Sequence, residues 1–366
     1  MHYRIVMKQN FFQAIGLADM EKVHSSVIGW MLSENCIAFD KKEKSKLLCQ
    51  IFGESIMTFS TINVWVENHH FDILIVTENE KAEKVYWVIE NKVKSSQREK
   101  QLDDYTDTLK EIAGNSEKKY CLLSLISEKP RCKNDVWHCT TYGQLADYIE
   151  SALNHANKDT KDYVFINEYH DCIKSLDTAL IDFLNNSQSY PNVFTDGSKR
   201  KEDKHFRTAK GRFAEFVGQN NLETIFQKCF LGIILQQMDI ELCRKTAINE
   251  TRGTALIDYL NYRENDNHTI ESHIQIQNGT FKVFLCNINN TSNKEVFVRD
   301  WMQLFETICD NRKDWHINSP KTKPSLSISF SDKGWYNNPQ KDIVIQWKER
   351  YKLALEIQKS IIDKII

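Results

Sequence analysis

Two apolar runs that each carry charge inside a stretch fit for a core constrain this chain most: Phe71-Asp72-Ile73-Leu74-Ile75-Val76 and Val85-Tyr86-Trp87-Val88-Ile89-Glu90-Asn91-Lys92. An ionised side chain is costly to bury without a partner, so carboxylates and a lysine in such strands require a reason. A metal site is the leading one. The polar connection around Glu78-Asn79-Glu80-Lys81 suits a hairpin, which lays the two strands antiparallel and brings Asp72 toward Glu90. Alternation points Tyr86, Val88, Glu90 and Lys92 to one face and Val85, Trp87, Ile89 and Asn91 to the other.

Two carboxylates with a backbone carbonyl make a seat for Mg²⁺, a hard ion that prefers oxygen ligands. A lysine two residues after the glutamate is suited to orient or deprotonate a water, or to neutralise charge on a phosphate. Met20, Val23, Val27 and Trp30 form an apolar stripe at helical spacing, with Glu21, His24, Ser25 and Ile28 at its margin. Leu102, Tyr105, Leu109 and Ile112 form another, with Gln101 on its border.

Asp72, then Glu90-Asn91-Lys92, then Gln101-Leu102-Asp103-Asp104-Tyr105, preceded by Met20-Glu21-Lys22-Val23-His24-Ser25, resembles the PD-(D/E)XK nuclease superfamily over roughly the first 150 residues. Phe71 stands where the family pattern has proline, which carries no chemistry. The resemblance implies Asp72, Glu90 and the Asn91 backbone carbonyl as ligands for Mg²⁺ or Mn²⁺, and Lys92 as the water-orienting residue. It further implies Glu21 as a supporting helical acid and Gln101 as a polar group near Lys92 or the substrate. The implied activity is an endonuclease-like hydrolysis of phosphodiesters, with DNA ahead of RNA and defence against phage or foreign DNA as the setting. Glu-x-Lys alone is weak in a chain with 27% charged residues; its standing comes from the ordered constellation. The competing reading is a non-catalytic nucleic-acid-binding or scaffold protein that keeps the nuclease fold.

At 366 residues and 41% hydrophobic content, the chain has material for about two domains. The order of expected elements gives an α/β, restriction-endonuclease-like mixed sheet flanked by helices over 1–155, then an α+β substrate- or partner-binding module over 156–366, split at Asn154–Asp159. In that second half the pattern predicts helices through about 263, strands at Ile274–Asn287 and Ser325–Ser331, a helix at Glu295–Cys309 and a closing helix at Ile343–Ile365. A homo-oligomer or partner protein would use this module.

A formal net charge of −2 supplies no global field for polyanions, so nucleic acid needs a local patch. Lys199, Arg200, Lys204, Arg207, Lys210 and Arg212, interleaved with Phe206 and Phe213, are the candidate nucleic-acid-binding residues. Arg312-Lys313 and Lys321-Thr322-Lys323 are a weaker basic region. No run spans a bilayer and no signal-peptide core opens the chain, so a cytoplasmic location without membrane contact is expected. Ten cysteines without a C-x-x-C pair read as reduced thiols rather than a disulfide framework or a zinc site.

Overall fold

The computed structural model describes residues 10–93, 97–98, 100–190, 193–194, 214–238, 247–251, 253–263, 270–287, 294–310, 312–319, 324–332 and 334–364. By its internal contacts the chain divides into two compact units, Met1–Ser189 with Arg207–Ile225, and Tyr190–Phe206 with Phe226–Ile366.

The first unit is built on a five-stranded mixed sheet in the order β1-β2-β3-β4-β5, with strands at Thr61–Asn68, Phe71–Glu78, Lys84–Lys92, Glu117–Ser124 and Trp137–Thr141. β1, β2 and β3 run antiparallel, and β4 and β5 follow β3 in parallel. The β2–β3 turn is set by Asn79, whose Oδ1 accepts from the backbone N–H groups of Lys81 and Glu83, an Asx turn that closes the hairpin. Parallel strands need a crossover, and α4 (Gln101–Ala113) supplies it between β3 and β4.

α4 covers one sheet face. Leu102 and Leu109 pack with Leu74, Val88, Tyr120, Leu122 and Trp137, with Tyr105 and Ile112 at the edge, which is the stripe the sequence shows. Each fully buried side chain of this kind stabilises by about 1.5–3 kcal/mol.

α1 (Phe11–Ala14), α2 (Glu21–Leu32) and α3 (Lys41–Ile51) precede the sheet. On α2 the buried set is His24, Ser25, Ile28, Gly29, Met31 and Leu32, while Met20 is 44% exposed, so the expected Met20/Val23/Val27/Trp30 stripe is rotated away from the core. Two causes act together: His24 and Ser25 find hydrogen-bond partners inside, and Gly29 lets the helix approach the sheet. A Cβ there would stand 2.6 Å from Val66 Cγ2.

α5 (Tyr142–Leu153) begins in a capping box between Thr141 and Gln144. α6 (Lys161–Asn185) is capped by Thr160 and buries Ile166, Tyr169, Cys172, Ile173, Leu176, Ala179, Leu180 and Phe183, packing against α5 and α1. The polar Asn154–Asp159 stretch is therefore a connection between two helices of the first unit, which runs past the boundary expected at 155. α7 (Ala214–Gln219) also belongs to it, and α8 (Glu223–Met238) follows.

The second unit holds a six-stranded antiparallel sheet in the order β10-β11-β9-β8-β7-β6: β6 Ala247–Thr251, β7 Thr254–Arg263, β8 Ile270–Gln277, β9 Thr280–Asn287, β10 His316–Asn318 and β11 Ser325–Ser331. The helix expected through about 263 gives way to β6 and β7, where Ala255, Leu256, Ile257, Tyr259 and Leu260 are all buried in a short apolar run that pairs with β8. The single strand at Ile274–Asn287 is a hairpin turned by Asn278-Gly279, both at positive φ, the strongest short hairpin signal.

α9 (Lys294–Asp310) packs on β11, and α10 (Gln340–Ile362) lies over β8 and β9. Phe281 meets Trp347 edge-on, and Gln358 donates to Ser272. Among the described residues, no helix is long and apolar enough to cross a membrane, and no cysteine is in a disulfide.

Candidate active site

The β2–β3 ladder runs from Glu78↔Lys84 to Ile73↔Ile89, so Asp72 and Glu90 come next, on the sheet face shared by Leu74 and Val88. Glu90 is 1% exposed and Asp72 half-buried. The ladder ends in a clamp: the Asn91 backbone N–H donates to Asp72 Oδ2 at 2.7 Å. Lys92, on the same face as Glu90, pairs with Glu90 Oε1.

α4 is aimed at this point. Gln101, its first residue, donates through Nε2 to Glu90 Oε1 at 2.7 Å and stands 3.2 Å from the Tyr105 hydroxyl one turn on. Glu21, the first residue of α2, accepts the Val93 backbone N–H on Oε1 at 3.0 Å, just past Lys92. Asp72, Glu90, Lys92, Glu21 and Gln101 thus converge on one end of β3. The basic set Lys199, Arg200, Lys204, Arg207, Lys210 and Arg212 lies outside the described residues.

Electrostatics follow from burial. Glu90 is pushed up to about 7, first by desolvation and then by the Asp72 charge, with Lys92 opposing. The Asp72 carboxyl is also raised, chiefly by burial, with Glu21 adding to the rise while the Asn91 N–H and Lys92 oppose it. Two interacting carboxyls of this kind retain a proton to near neutrality. Tyr105 is pushed up to about 12 by burial and by the Glu90 charge, so it stays a neutral hydroxyl.

The donor set fits a divalent cation. Glu90 Oε2 is buried with no hydrogen-bond partner, beside a second carboxylate from the neighbouring strand, and oxygen donors of this type suit a hard ion. Gln101 Oε1 is likewise buried and unpartnered.

One residue between the two charged positions does more than the sequence shows. The Asn91 side chain, fully buried, donates to the Glu21 carbonyl and to Ser25 Oγ, each at 3.0 Å, and accepts from the Tyr142 hydroxyl at 2.7 Å. Behind it, His24 is held between Tyr169 Oη and the Ala18 carbonyl, and burial pushes its imidazole down to about 4. Beyond the i, i+4 spacing of Glu21 and Ser25, the Asn91 side chain, its partner Ser25, and Tyr142 and Tyr169 carry no signal in the sequence pattern that marks them as part of this site. On the other side, Gln97, 2% exposed, donates to Glu128, which in turn accepts from Ser124, the β4 partner of Lys92. Glu67, with His69 and His70, takes positive φ at the β1–β2 hairpin, as a turn residue.

Residues 9–171 match the family model of the PD-(D/E)XK nuclease superfamily. No curated protein and no solved structure matches the chain.

Proposed function

From the membership of residues 9–171 in the PD-(D/E)XK nuclease superfamily, we propose that the chain is a Mg²⁺- or Mn²⁺-dependent nuclease that hydrolyses DNA phosphodiesters. The observation that carries this reading is the orphaned Glu90 Oε2 beside Asp72, with the Lys92 ammonium on the other oxygen of the same carboxylate. A scaffold has no physical need for an unpartnered carboxylate oxygen in a buried position.

Asp72, Glu90 and the Asn91 carbonyl would hold the ion, whose Lewis-acid charge polarises the attacked phosphate. Lys92 orients the attacking water and neutralises charge on the phosphate. Gln101 fixes the Glu90 carboxylate from α4, and Glu21 fixes the chain just beyond Lys92 from α2. The basic segment 199–212 grips the phosphate backbone. A cytoplasmic role in defence against foreign DNA is the setting that accompanies this reading.

The test is purified protein with plasmid DNA and with RNA, in Mg²⁺, Mn²⁺ or chelator. Metal-dependent cutting of DNA that disappears in folded Lys92→Ala supports the reading. Cutting that survives that substitution sinks the assignment, and cutting of RNA alone corrects the substrate.

A further inference from the structure

The second unit brings together three side chains of types that ligate metals. Glu271 and His273 stand two residues apart on β8, on one face, and Cys286 on β9 is the register partner of Glu271. Directly paired residues have Cβ atoms roughly 4.5–5.5 Å apart, so the ladder itself brings the carboxylate and the thiol together. One ligand atom from each of the three lies within 4.8 Å of the others.

Asp258 on β7 completes the arrangement from the other flank. Its Oδ1 is 3.0 Å from His273 Nδ1, while His273 Nε2 is 3.1 Å from Glu271 Oε2. The ring is further fixed by stacking on Phe284 at 4.6 Å and 9°. A carboxylate on one ring nitrogen sets the tautomer and aims the other nitrogen at a metal. Ile274, Ile276, Phe281, Val283 and Leu285 are buried on the opposite face, whereas His273 and Cys286 are half-buried and within reach of solvent.

We propose that Glu271, His273 and Cys286 form a second metal site, of the Zn²⁺ class, with Asp258 positioning the imidazole. A thiolate, an imidazole nitrogen and a carboxylate oxygen are the three donor types Zn²⁺ accepts, and hard Mg²⁺ takes oxygen instead. In a tetrahedron with bonds of ~2.0–2.3 Å the donors stand roughly 3–4 Å apart, a small contraction of the present spacing. Three protein donors leave a fourth position for water or an outside ligand. The site is independent of the nuclease reading, because its sulfur and nitrogen donors distinguish it from the all-oxygen set at Asp72 and Glu90.

The experiment is Co²⁺ titration of the full-length protein followed by Zn²⁺ competition. The expected result is one thiolate-to-cobalt charge-transfer band per chain, displaced by Zn²⁺, unchanged in Asp72→Asn and lost in Cys286→Ser. Asp258→Asn should weaken Zn²⁺ binding by roughly 10–100-fold. Absence of the band, or its persistence in folded Cys286→Ser, overturns the site and leaves an imidazole bridging two carboxylates. Should Cys286→Ser fail to fold, X-ray absorption of the zinc-loaded native protein decides: one sulfur with nitrogen and oxygen supports the site, and oxygen and nitrogen alone refute it.

Discussion

Gln101 and Lys92 converge on the same atom, Glu90 Oε1, the amide at 2.7 Å and the ammonium as its ion-pair partner, and so leave Oε2 of that carboxylate free of hydrogen bonds. One oxygen is fixed from the protein side, and the other is the one the proposed cation would take.

Removing the helical support should loosen the carboxylate without unfolding α4, since Gln101 is a half-buried first-turn residue and the apolar stripe behind it is untouched. Gln101→Ala is expected to lower metal affinity or activity by roughly 10–100-fold, the usual effect of losing a group that orients a ligand. Metal titration of cleavage reads it; unchanged half-saturation would show that Gln101 does not position Glu90.

Lys92 is a charge buried against another charge. Lys92→Met should abolish cleavage yet leave a folded protein, because Glu90 then retains its proton instead of facing burial unpaired. Circular dichroism with a cleavage assay separates the two effects, and a molten Lys92→Met would show the ion pair to be required for folding.

The raised Glu90 carboxyl fixes the sign of two pH effects. Between its ordinary range near 4.5 and about 7, the native state holds a proton that the unfolded state has released, so this group's stabilisation is present at low pH and is lost as pH rises through about 7. Glu90→Gln should therefore flatten the fall in stability of the metal-free protein between pH 5 and pH 8. Cation binding needs the ionised carboxylate, so divalent-ion affinity should climb as pH passes 7, read by calorimetry at pH 6 and 8.

His24 works in the opposite sense. Its imidazole is buried neutral and pushed down to about 4, so the unfolded state takes up a proton first as pH falls below the ordinary 6.5. Native stability is full above that value and declines toward about 4, by on the order of 3 kcal/mol. Urea unfolding of wild type and His24→Gln at pH 7.5 and 5 tests it: the substitution should flatten this part of the pH slope, and an equal slope in both proteins would refute it.

The first unit was largely legible because its signals are local and strong. Charge inside apolar strands, a short polar hairpin and a helix starting at Gln101 are enough to order Asp72, Glu90, Lys92 and Gln101 in space. On α2 the buried face lies one residue out of phase with the apolar stripe, because apolar periodicity cannot reveal that His24 and Ser25 have partners within the fold, or that Gly29 is needed for closeness to Val66. In the second unit the helical pattern expected through about 263 hides β6 and β7, and the strand expected at Ile274–Asn287 runs straight through the Asn278-Gly279 turn that divides it. Cys286 reaches Glu271 and His273 only through strand pairing, which linear spacing does not show.

The buried ammonium of Lys92 also bears on how the end of β3 folds before the proposed cation binds. By supplying positive charge to Glu90 from within the chain, it acts as a resident counter-ion, so the end of β3 need not wait for metal to become folded. Preparations stripped with chelator should stay intact and regain activity simply on adding back the cation, making loading a late and reversible event instead of a step in folding.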